Sequence, residues 1–315
     1  MAKIGNSNLE ILPINLGGNV FGWTADRDAS FAVLDAFVAG GGNFIDTADS
    51  YSAWVPGNPG GVSESIIGEW LASRKPENVI VATKVGQHPD FRGQKAENVQ
   101  AAAEASLTRL GVETIDLYYI HEDDENTPLE EAVAAHARLQ DEGKVRYTAL
   151  SNFTADRVRE WFRVANELGV ATPIALQPQY NLLTRSGFEG ELEQAAEDLG
   201  LSVLTWGSLA SGFLTGKYRN QEDIDNGASP RAGGLSGFAN EAGFGLLDTI
   251  EQIANAHNTS ITAVSLAALR SRPSVLAPIA SASKVDQVAD LLASAHLQLS
   301  ENEVSEIYGA AAKVS

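Results

Sequence analysis

DLYYIHEDDENTPLEEAVAAHARLQDEGKVRYTALSN, residues 116–152, contains one full strand–helix–strand repeat of this chain. A β-rich run at 116–121 leads through a polar turn into a longer amphipathic stretch, and a second β-rich run follows at 145–152. Thr127 and Pro128 predict the start of the helix, as an N-cap residue followed by proline at the first helical position. A unit of this kind is typical of a parallel sheet covered by helices.

The same alternation extends in both directions along the chain. Helical stretches at 28–39 and 97–110 place apolar residues three and four apart, and Gly111 is well placed to end the second of them. The opening residues 3–12, KIGNSNLEIL, predict a small hairpin that turns at 6–8. Candidate strands lie near 13–17, 43–48, 79–85, 116–121, 145–152, 174–180, 202–207 and 275–280.

Eight strands, each followed by a helix, are the number expected for a (β/α)₈ barrel. A doubly wound parallel sheet has the same alternation and is the competing architecture. The chain contains no G-x-G-x-x-G, and Ser211 stands where a Walker A motif ending at Gly216 and Lys217 would need its first glycine. We therefore expect an α/β fold: a TIM barrel with an N-terminal β-hairpin and extra C-terminal helices, formed as a single domain by residues 1–315.

Composition limits the function classes. Lys and Arg number 22 against 41 Asp and Glu, which gives a net charge of −19 and a pI of about 4.6. This charge argues against general nucleic-acid binding and against docking on an anionic membrane. The chain has no cysteine, which excludes disulfides, thiolate nucleophiles and cysteine-ligated zinc. The first residues contain no apolar signal-peptide run, and no apolar stretch approaches membrane-spanning length, so we expect a cytoplasmic protein.

Four polar residues, Asp46, Tyr51, Lys84 and His121, stand at or just past predicted strand ends. The carboxyl ends of barrel strands meet on one face, so these side chains should lie together. A lysine within an apolar strand is costly unless it is paired, and Asp46 is the expected partner of Lys84. Considered singly, Lys84 could extend its ammonium to solvent, and His121 could be a satisfied core histidine. The four residues together favour a reactive site.

These residue types fit the reduction of a carbonyl group. A phenol has a pKa of about 10, and a nearby ammonium favours the phenolate, so we expect Lys84 to lower the pKa of Tyr51. Such a tyrosine can donate a proton to a developing alkoxide. His121 could hydrogen-bond the same oxygen. This chemistry needs no metal.

An acidic run, His121 to Glu125, supports a different hypothesis. Its five potential ligands would suit a metal-dependent barrel hydrolase or isomerase. Adjacent residues rarely converge on one ion, and no H-E-x-x-H spacing is present. A solvated acidic loop is therefore the preferred interpretation.

Six segments, in order and over nearly the whole chain, resemble the aldo-keto reductases. They are GGNFIDTADSY (41–51), VIVATKV (79–85), DLYYIH (116–121), VRYTALSNF (145–153), LQPQYNLLTR (176–185) and GSLASGFLTGKY (207–218). The resemblance implies a barrel that binds NADPH or NADH without a Rossmann domain and reduces small aldehydes or ketones. It also implies a catalytic tetrad of Asp46, Tyr51, Lys84 and His121.

The resemblance further implies a set of cofactor contacts. Ser151, Asn152 and Gln177 correspond to residues that hydrogen-bond the nicotinamide carboxamide. Trp206 stands where the family commonly has a tyrosine stacked on the nicotinamide ring, and a core aromatic is the alternative for it. The full set is Gly18, Asn19, Ser151, Asn152, Gln177, Trp206, Gly207, Ser208, Leu209, Ser211, Gly212, Lys217, Ser281, Ser283, Lys284 and Gln287.

Cofactor preference depends on the segment after the last strand. Ser281, Ser283 and Lys284 stand at a predicted helix N-terminus, which favours anions. The family often has glycine at the position of Ser281 and an arginine near Ser283, so this chain departs from the pattern. Lys284 alone could pair with a 2′-phosphate. We expect NADP, with NAD as the alternative.

Two long loops follow strands and should lie on the active-site face, at 52–62 and 216–240. We expect the substrate to contact Trp54, His88 and Phe91, with Phe213 and Tyr218 as further pocket residues. The resemblance leaves a non-enzymatic alternative, because some relatives are accessory subunits that bind the cofactor as sensors beside ion channels. Turnover would distinguish the two functions. Oligomeric state is not predicted.

Overall fold

A computed structural model of the protein shows a closed barrel of eight parallel strands. The structure describes residues 1–225, 235 and 237–314. The strands pair in chain order and the last closes on the first. They are β3 (Asn15–Gly17), β4 (Phe44–Asp46), β5 (Ile80–Val85), β6 (Ile115–Ile120), β7 (Val145–Ser151), β8 (Ala175–Gln177), β9 (Ser202–Thr205) and β10 (Val275–Ala280). The predicted TIM barrel is confirmed, and the doubly wound sheet is excluded.

An antiparallel hairpin precedes the barrel, as the sequence predicts. Its strands are β1 (Ala2–Lys3) and β2 (Glu10–Ile11), with Ala2 opposite Ile11. Ile4, Leu9 and Ile11 pack with apolar side chains of the barrel interior. The hairpin therefore closes the barrel at the end opposite the strand carboxyl termini.

Helices surround the barrel, and three of them lie between the last two strands in chain order. The bounds are α1 (Arg27–Ala39), α2 (Val62–Arg74), α3 (Ala96–Leu110), α4 (Leu129–Asp141), α5 (Ala155–Leu168), α6 (Glu191–Asp198), α7 (Gln221–Asp225), α8 (Glu241–Ala256), α9 (Ile261–Arg270), α10 (Val288–His296) and α11 (Glu301–Ala311). The terminal helix α11 packs on α8, and its Tyr308 shares a 3.1 Å hydrogen bond with Tyr180. None of the described helices is long and apolar enough to cross a membrane.

Local sequence signals account for several helix ends. The Asp26 carboxylate accepts from Ala29 N at 2.9 Å and caps α1. Gly111 ends α3 in the left-handed conformation, with φ of 67°, as its position predicts. The prediction that Thr127 caps α4 is wrong. Pro128 is the N-cap, because the Thr127 hydroxyl donates instead to the Asp124 carboxylate at 2.6 Å.

The predicted loop at 216–240 is only partly a loop. It includes the short helix α7, and the core residue Leu235 lies in the same segment. Residues 226–234 and 236 of this prediction lie outside the described part of the chain.

Candidate active site

A cavity of about 740 Å³ opens at the carboxyl ends of the barrel strands. Its size is within the range of small-molecule sites, and its position is that of active sites in barrels. The lining residues are Gly17, Asn19, Val20, Thr24, Asp46, Tyr51, Trp54, Gln87, His121, Ser151, Asn152, Gln177, Trp206, Gly207, Ser208, Leu209, Ser211, Gly212, Thr215, Lys217, Ile279, Ala280, Ser281, Ser283, Lys284 and Gln287.

Lys84 lies beneath the floor of the cavity, near the end of β5, where its side chain is fully buried and binds several site residues. Its ammonium is paired with the Asp46 carboxylate, and it donates to Thr47 O at 2.7 Å and to Tyr51 Oη at 2.9 Å. These contacts use all three ammonium protons. Gln177 Nε2 donates to the other Asp46 oxygen at 2.9 Å, so the carboxylate is fixed from two sides. The pairing of Lys84 with Asp46 that the sequence predicts is present.

Burial lowers the pKa of Lys84, and the neighbouring Asp46 carboxylate opposes that change by stabilising the ammonium. The ammonium also lies over two aromatic rings, 4.6 Å from the centroid of Tyr51 and 5.6 Å from that of Tyr119. Cation–π contacts of this length favour the charged form. The pair therefore supplies a positive charge directly beside the Tyr51 hydroxyl.

The expectation that Lys84 lowers the pKa of Tyr51 is wrong. Burial and the negative charge of Asp46 raise the pKa of Tyr51 well above its ordinary value. Asp46 Oδ1 also accepts from the phenol at 3.4 Å, which further favours the protonated form. Tyr51 is therefore a neutral phenol near pH 7, the state in which it can donate a proton.

His121 follows β6 and faces the same cavity. Burial and the Lys84 charge hold the pKa of His121 well below its ordinary value, so the imidazole is neutral. Nδ1 is buried without a partner in the described part of the chain, which leaves Nε2 as the nitrogen that the cavity can reach. The rings of His121 and Tyr51 are 6.0 Å apart. A substrate oxygen placed between them could contact both groups.

Asn152 and Trp206 form a hydrogen-bonded pair in the cavity wall. Trp206 Nε1 donates to Asn152 Oδ1 at 2.9 Å, and Asn152 Nδ2 donates to His121 O at 2.8 Å. Trp206 is partly exposed and lines the cavity, so it is not a core aromatic. Ser151 and Gln177 are adjacent, with Ser151 Oγ donating to Gln177 O at 3.0 Å. The wall thus offers a flat ring beside amide and hydroxyl groups.

The loop after β9 turns sharply against the cavity. Ala210, Ser211 and Gly212 have consecutive positive φ values of 46°, 56° and 92°. A Cβ on Gly212 would lie 3.0 Å from Lys217 Nζ, so the lysine crosses directly over this turn. Closely turned backbone and a cation beside it are typical of anion sites.

The loop after β10 forms the remaining wall. Gln287 Oε1 accepts from Ser283 N at 2.9 Å and from Lys284 N at 3.3 Å, which holds both residues at the cavity edge. Ser281 Oγ donates to Asn19 Oδ1 at 2.5 Å. Gly17 lies directly below, where a Cβ would be only 2.7 Å from Ser281 Oγ.

Several residues predicted for the site do not line the cavity. Gly18 lies beside it, while His88 stacks on Phe91 behind the loop at Gly60, with ring centroids 5.1 Å apart. Phe213 and Tyr218 belong to the hydrophobic core. The cavity lining also includes residues that the sequence patterns did not predict: Gly17, Val20, Thr24, Gln87, Thr215, Ile279 and Ala280. The strand-end rule that singled out Lys84 would also have found Gln87, two residues past β5.

The acidic run after His121 is divided among different partners. Glu122 accepts from Gln87 at 3.0 Å, Asp123 pairs with Arg157 at 2.7 Å, and Asp124 binds Gln94 N at 2.8 Å. Among the residues the structure describes, no three His, Asp or Glu side chains are grouped to hold a metal ion. These contacts favour an acidic loop over a metal site, although Glu122, Asp123 and Asp124 are half-buried and paired rather than fully solvated.

A second carboxyl lies buried beneath the site. Asp49 is fully buried, and neither of its carboxyl oxygens has a side-chain hydrogen-bond partner among the described residues. Burial and the negative charge of Glu64, which pairs with Arg109 at 2.6 Å, raise the pKa of Asp49 well above its ordinary value. The folded state therefore binds the Asp49 proton more tightly than the unfolded state does.

Replacing Asp49 with asparagine should stabilise the protein at neutral pH. The folded state binds the extra proton, so wild-type stability falls as pH rises above about 4, by up to ~1.4 kcal/mol per pH unit until the folded carboxyl ionises. Asparagine removes this dependence. We expect the gain of Asp49→Asn, measured by urea unfolding, to grow between about pH 4 and pH 7. A gain independent of pH, or a loss at every pH, would contradict a protonated Asp49.

Comparison with known proteins gives consistent matches over nearly the full chain. A model of the Aldo/keto reductase family matches residues 13–312. A probable voltage-gated potassium channel subunit beta of Oryza sativa subsp. japonica is 31% identical over 301 residues, covering 91% of this chain and 88% of that protein. Protein tas of Escherichia coli (strain K12) is 30% identical over 334 residues, covering 97% and 95%. Aldo-keto reductase str7 of Strobilurus tenacellus is 31% identical over 314 residues, covering 98% and 88%.

Proposed function

This chain belongs to the Aldo/keto reductase family of oxidoreductases, and on that premise we propose that it reduces the carbonyl group of an aldehyde or ketone to an alcohol. The family uses nicotinamide cofactors in general, and we propose NADPH as the one used here. The observation that carries the proposal is the Tyr51 phenol, which lines the cavity while its oxygen accepts from the buried Lys84 ammonium at 2.9 Å.

The cavity fits a nicotinamide cofactor in shape and in donor chemistry. Gly17 and Gly212 let Ser281 and Lys217 approach the backbone closely, since an added Cβ would lie 2.7 Å from Ser281 Oγ and 3.0 Å from Lys217 Nζ. Trp206 offers an apolar face to a flat ring. Lys217 and Lys284 line the cavity and make no ion pair with the residues described, so both are available to phosphate oxygens.

The bound cofactor supplies a hydride to the carbonyl carbon. Tyr51 supplies the proton: its O–H bond breaks as the substrate oxygen gains a hydrogen, and the product is an alcohol. Neutral His121 orients that oxygen through Nε2 and cannot compete as a stronger acid. The Lys84 charge stabilises the tyrosinate that forms when the proton leaves, and Asp46 holds Lys84 in place. Solvent in the open cavity then restores the proton.

Steady-state turnover tests the proposal directly. Purified protein is mixed with NADPH, and separately with NADH, across aliphatic and aromatic aldehydes and ketones, and consumption of the reduced cofactor is followed by its near-ultraviolet absorbance. We expect carbonyl-dependent consumption with NADPH. Binding of the cofactor without turnover on any carbonyl compound would overturn the catalytic proposal.

Lys284 should set the preference between the two cofactors. NADPH alone carries a 2′-phosphate, so Lys284→Ala should weaken NADPH binding about tenfold and leave NADH binding nearly unchanged. Lys217→Ala is the matched control, because both cofactors carry the pyrophosphate that we assign to it, and both should bind more weakly. Dissociation constants can be measured from the quenching of tryptophan fluorescence. Equal losses for both cofactors in Lys284→Ala would contradict the assignment.

A second candidate function is that of a cofactor-binding accessory subunit. Its support is the similarity to the rice protein named as a probable potassium channel subunit beta. The two candidates share the cavity and differ in turnover, so the same assay separates them. The Lys84 ammonium and the Asp46 carboxylate beside the Tyr51 hydroxyl favour the first candidate, a carbonyl reductase.

A further inference from the structure

We propose that the preferred substrates are uncharged aromatic carbonyl compounds, whose ring packs against Trp54 while the carbonyl oxygen lies at Tyr51 and His121. This inference rests on the proposed reductase function and narrows it to one substrate class. The observation behind it is the exposure of Trp54 at the cavity. The rings of Tyr51 and Trp23 pack beside Trp54, and hydrogen bonds join the two loops that carry Trp54 and Trp23.

Trp54 is unusual among the large apolar side chains of the described chain. It is 52% exposed, and the others with high exposure are Met1, Leu168 and Val285, none of which lines the cavity. Exposing part of an indole to water is unfavourable unless something covers it. Its place on the cavity wall makes a bound substrate the covering group.

The position of Trp54 relative to the reacting groups defines the shape that fits. Its ring centroid is 6.2 Å from that of Tyr51, with an interplanar angle of 63°. It also meets Trp23 edge to face, at 5.6 Å and 86°. Aromatic pairs interact favourably at centroid separations of about 4.5–7 Å. A ring joined directly to a carbonyl at Tyr51 is of the right size to reach Trp54.

Two loops hold this wall in place. Ser52 adopts a left-handed conformation, with φ of 68°, and its hydroxyl donates to Phe21 O at 2.8 Å. Asn58 Nδ2 donates to Gly22 O at 3.3 Å. The loop that carries Trp54 is therefore tied at two points to the loop that carries Trp23. A wall fixed before binding loses little conformational entropy when a flat ligand packs on it.

Charge at this end of the cavity favours neutral substrates. The lining lysines, Lys217 and Lys284, follow β9 and β10 and are the groups assigned to phosphate. The polar residue after β5, Gln87, is bonded to the Glu122 carboxylate at 3.0 Å. Among the described lining residues the only carboxylate is Asp46 and the only cations are Lys217 and Lys284, so a substrate carboxylate would find no cation apart from those assigned to phosphate.

Matched substrates separate ring stacking from simple size. Benzaldehyde and cyclohexanecarbaldehyde carry six-membered rings, only one of them aromatic, and 4-carboxybenzaldehyde adds a charge. We expect kcat/KM to rank benzaldehyde first among the three. In Trp54→Ala the ratio of benzaldehyde to cyclohexanecarbaldehyde should fall roughly 2- to 12-fold, the range for an aromatic pair beyond its buried area. Trp54→Phe should restore most of the ratio.

Leu168→Ala is the control, since Leu168 is 46% exposed at the end of α5 and lies outside the cavity lining. It should leave every ratio unchanged. Turnover of all three aldehydes with the same ratio in wild type and Trp54→Ala would overturn this inference and leave the reductase function intact. A preference for 4-carboxybenzaldehyde would also overturn it. Absence of turnover on every aldehyde would overturn the reductase function, and this inference with it.

Discussion

Tyr51→Phe is expected to lower kcat for carbonyl reduction by about 100- to 10,000-fold, the usual contribution of a positioned general acid. The substitution removes one oxygen and keeps the ring that packs beside Trp54 and His121. No other hydroxyl in the described cavity lining accepts from Lys84. The developing alkoxide would then have no proton source held in place. Kinetics with saturating cofactor would measure this loss.

Cofactor affinity provides the internal check on this variant. The phenol acts on the substrate oxygen, so the dissociation constant for NADPH should stay nearly the same in Tyr51→Phe. Tyr118→Phe is the control: Tyr118 is fully buried, its hydroxyl lacks a partner in the described structure, and it does not line the cavity. It should retain wild-type turnover. Activity retained by Tyr51→Phe would exclude the proposed acid.

The sequence was sufficient for the barrel because each strand is a short β-rich run closed by turn residues. Predicted strands such as 79–85 and 145–152 differ from β5 and β7 by only one residue at one end. The start of α4 was harder to predict. Thr127 and Pro128 can each precede a helix, and the choice depends on Asp124, whose carboxylate takes the Thr127 hydroxyl. That contact is fixed only when the loop folds.

The candidate site also has features that the sequence predicts and features that it does not. The rule that polar residues at strand ends converge correctly placed Asp46, Tyr51 and His121 in one cavity, because all barrel strands point the same way. The direction of the Tyr51 pKa shift could not be predicted from the sequence. Burial and the Asp46 charge raise this pKa, the Lys84 charge opposes them, and their relative size depends on the folded geometry. The sequence pattern also does not predict loop conformation. His88 was expected to contact the substrate, but its ring packs against Phe91 instead.

Lys84→Met should abolish activity and also destabilise the fold. Methionine has nearly the length of lysine but carries no charge, so the buried Asp46 carboxylate loses its cation and keeps only Gln177 and the Tyr51 hydroxyl. Breaking a buried ion pair from one side costs about 3–5 kcal/mol, because an uncompensated charge remains. Turnover should fall as well, since nothing then stabilises the tyrosinate that proton transfer leaves on Tyr51.

The double variant Lys84→Met/Asp46→Asn separates the two effects. Asparagine is neutral, so it should recover part of the stability lost in Lys84→Met, while turnover stays low because the cation is still missing. Urea unfolding of wild type, both single variants and the double variant completes the cycle. A Lys84→Met protein as stable and as active as wild type would show that the buried pair neither supports the barrel floor nor assists proton transfer.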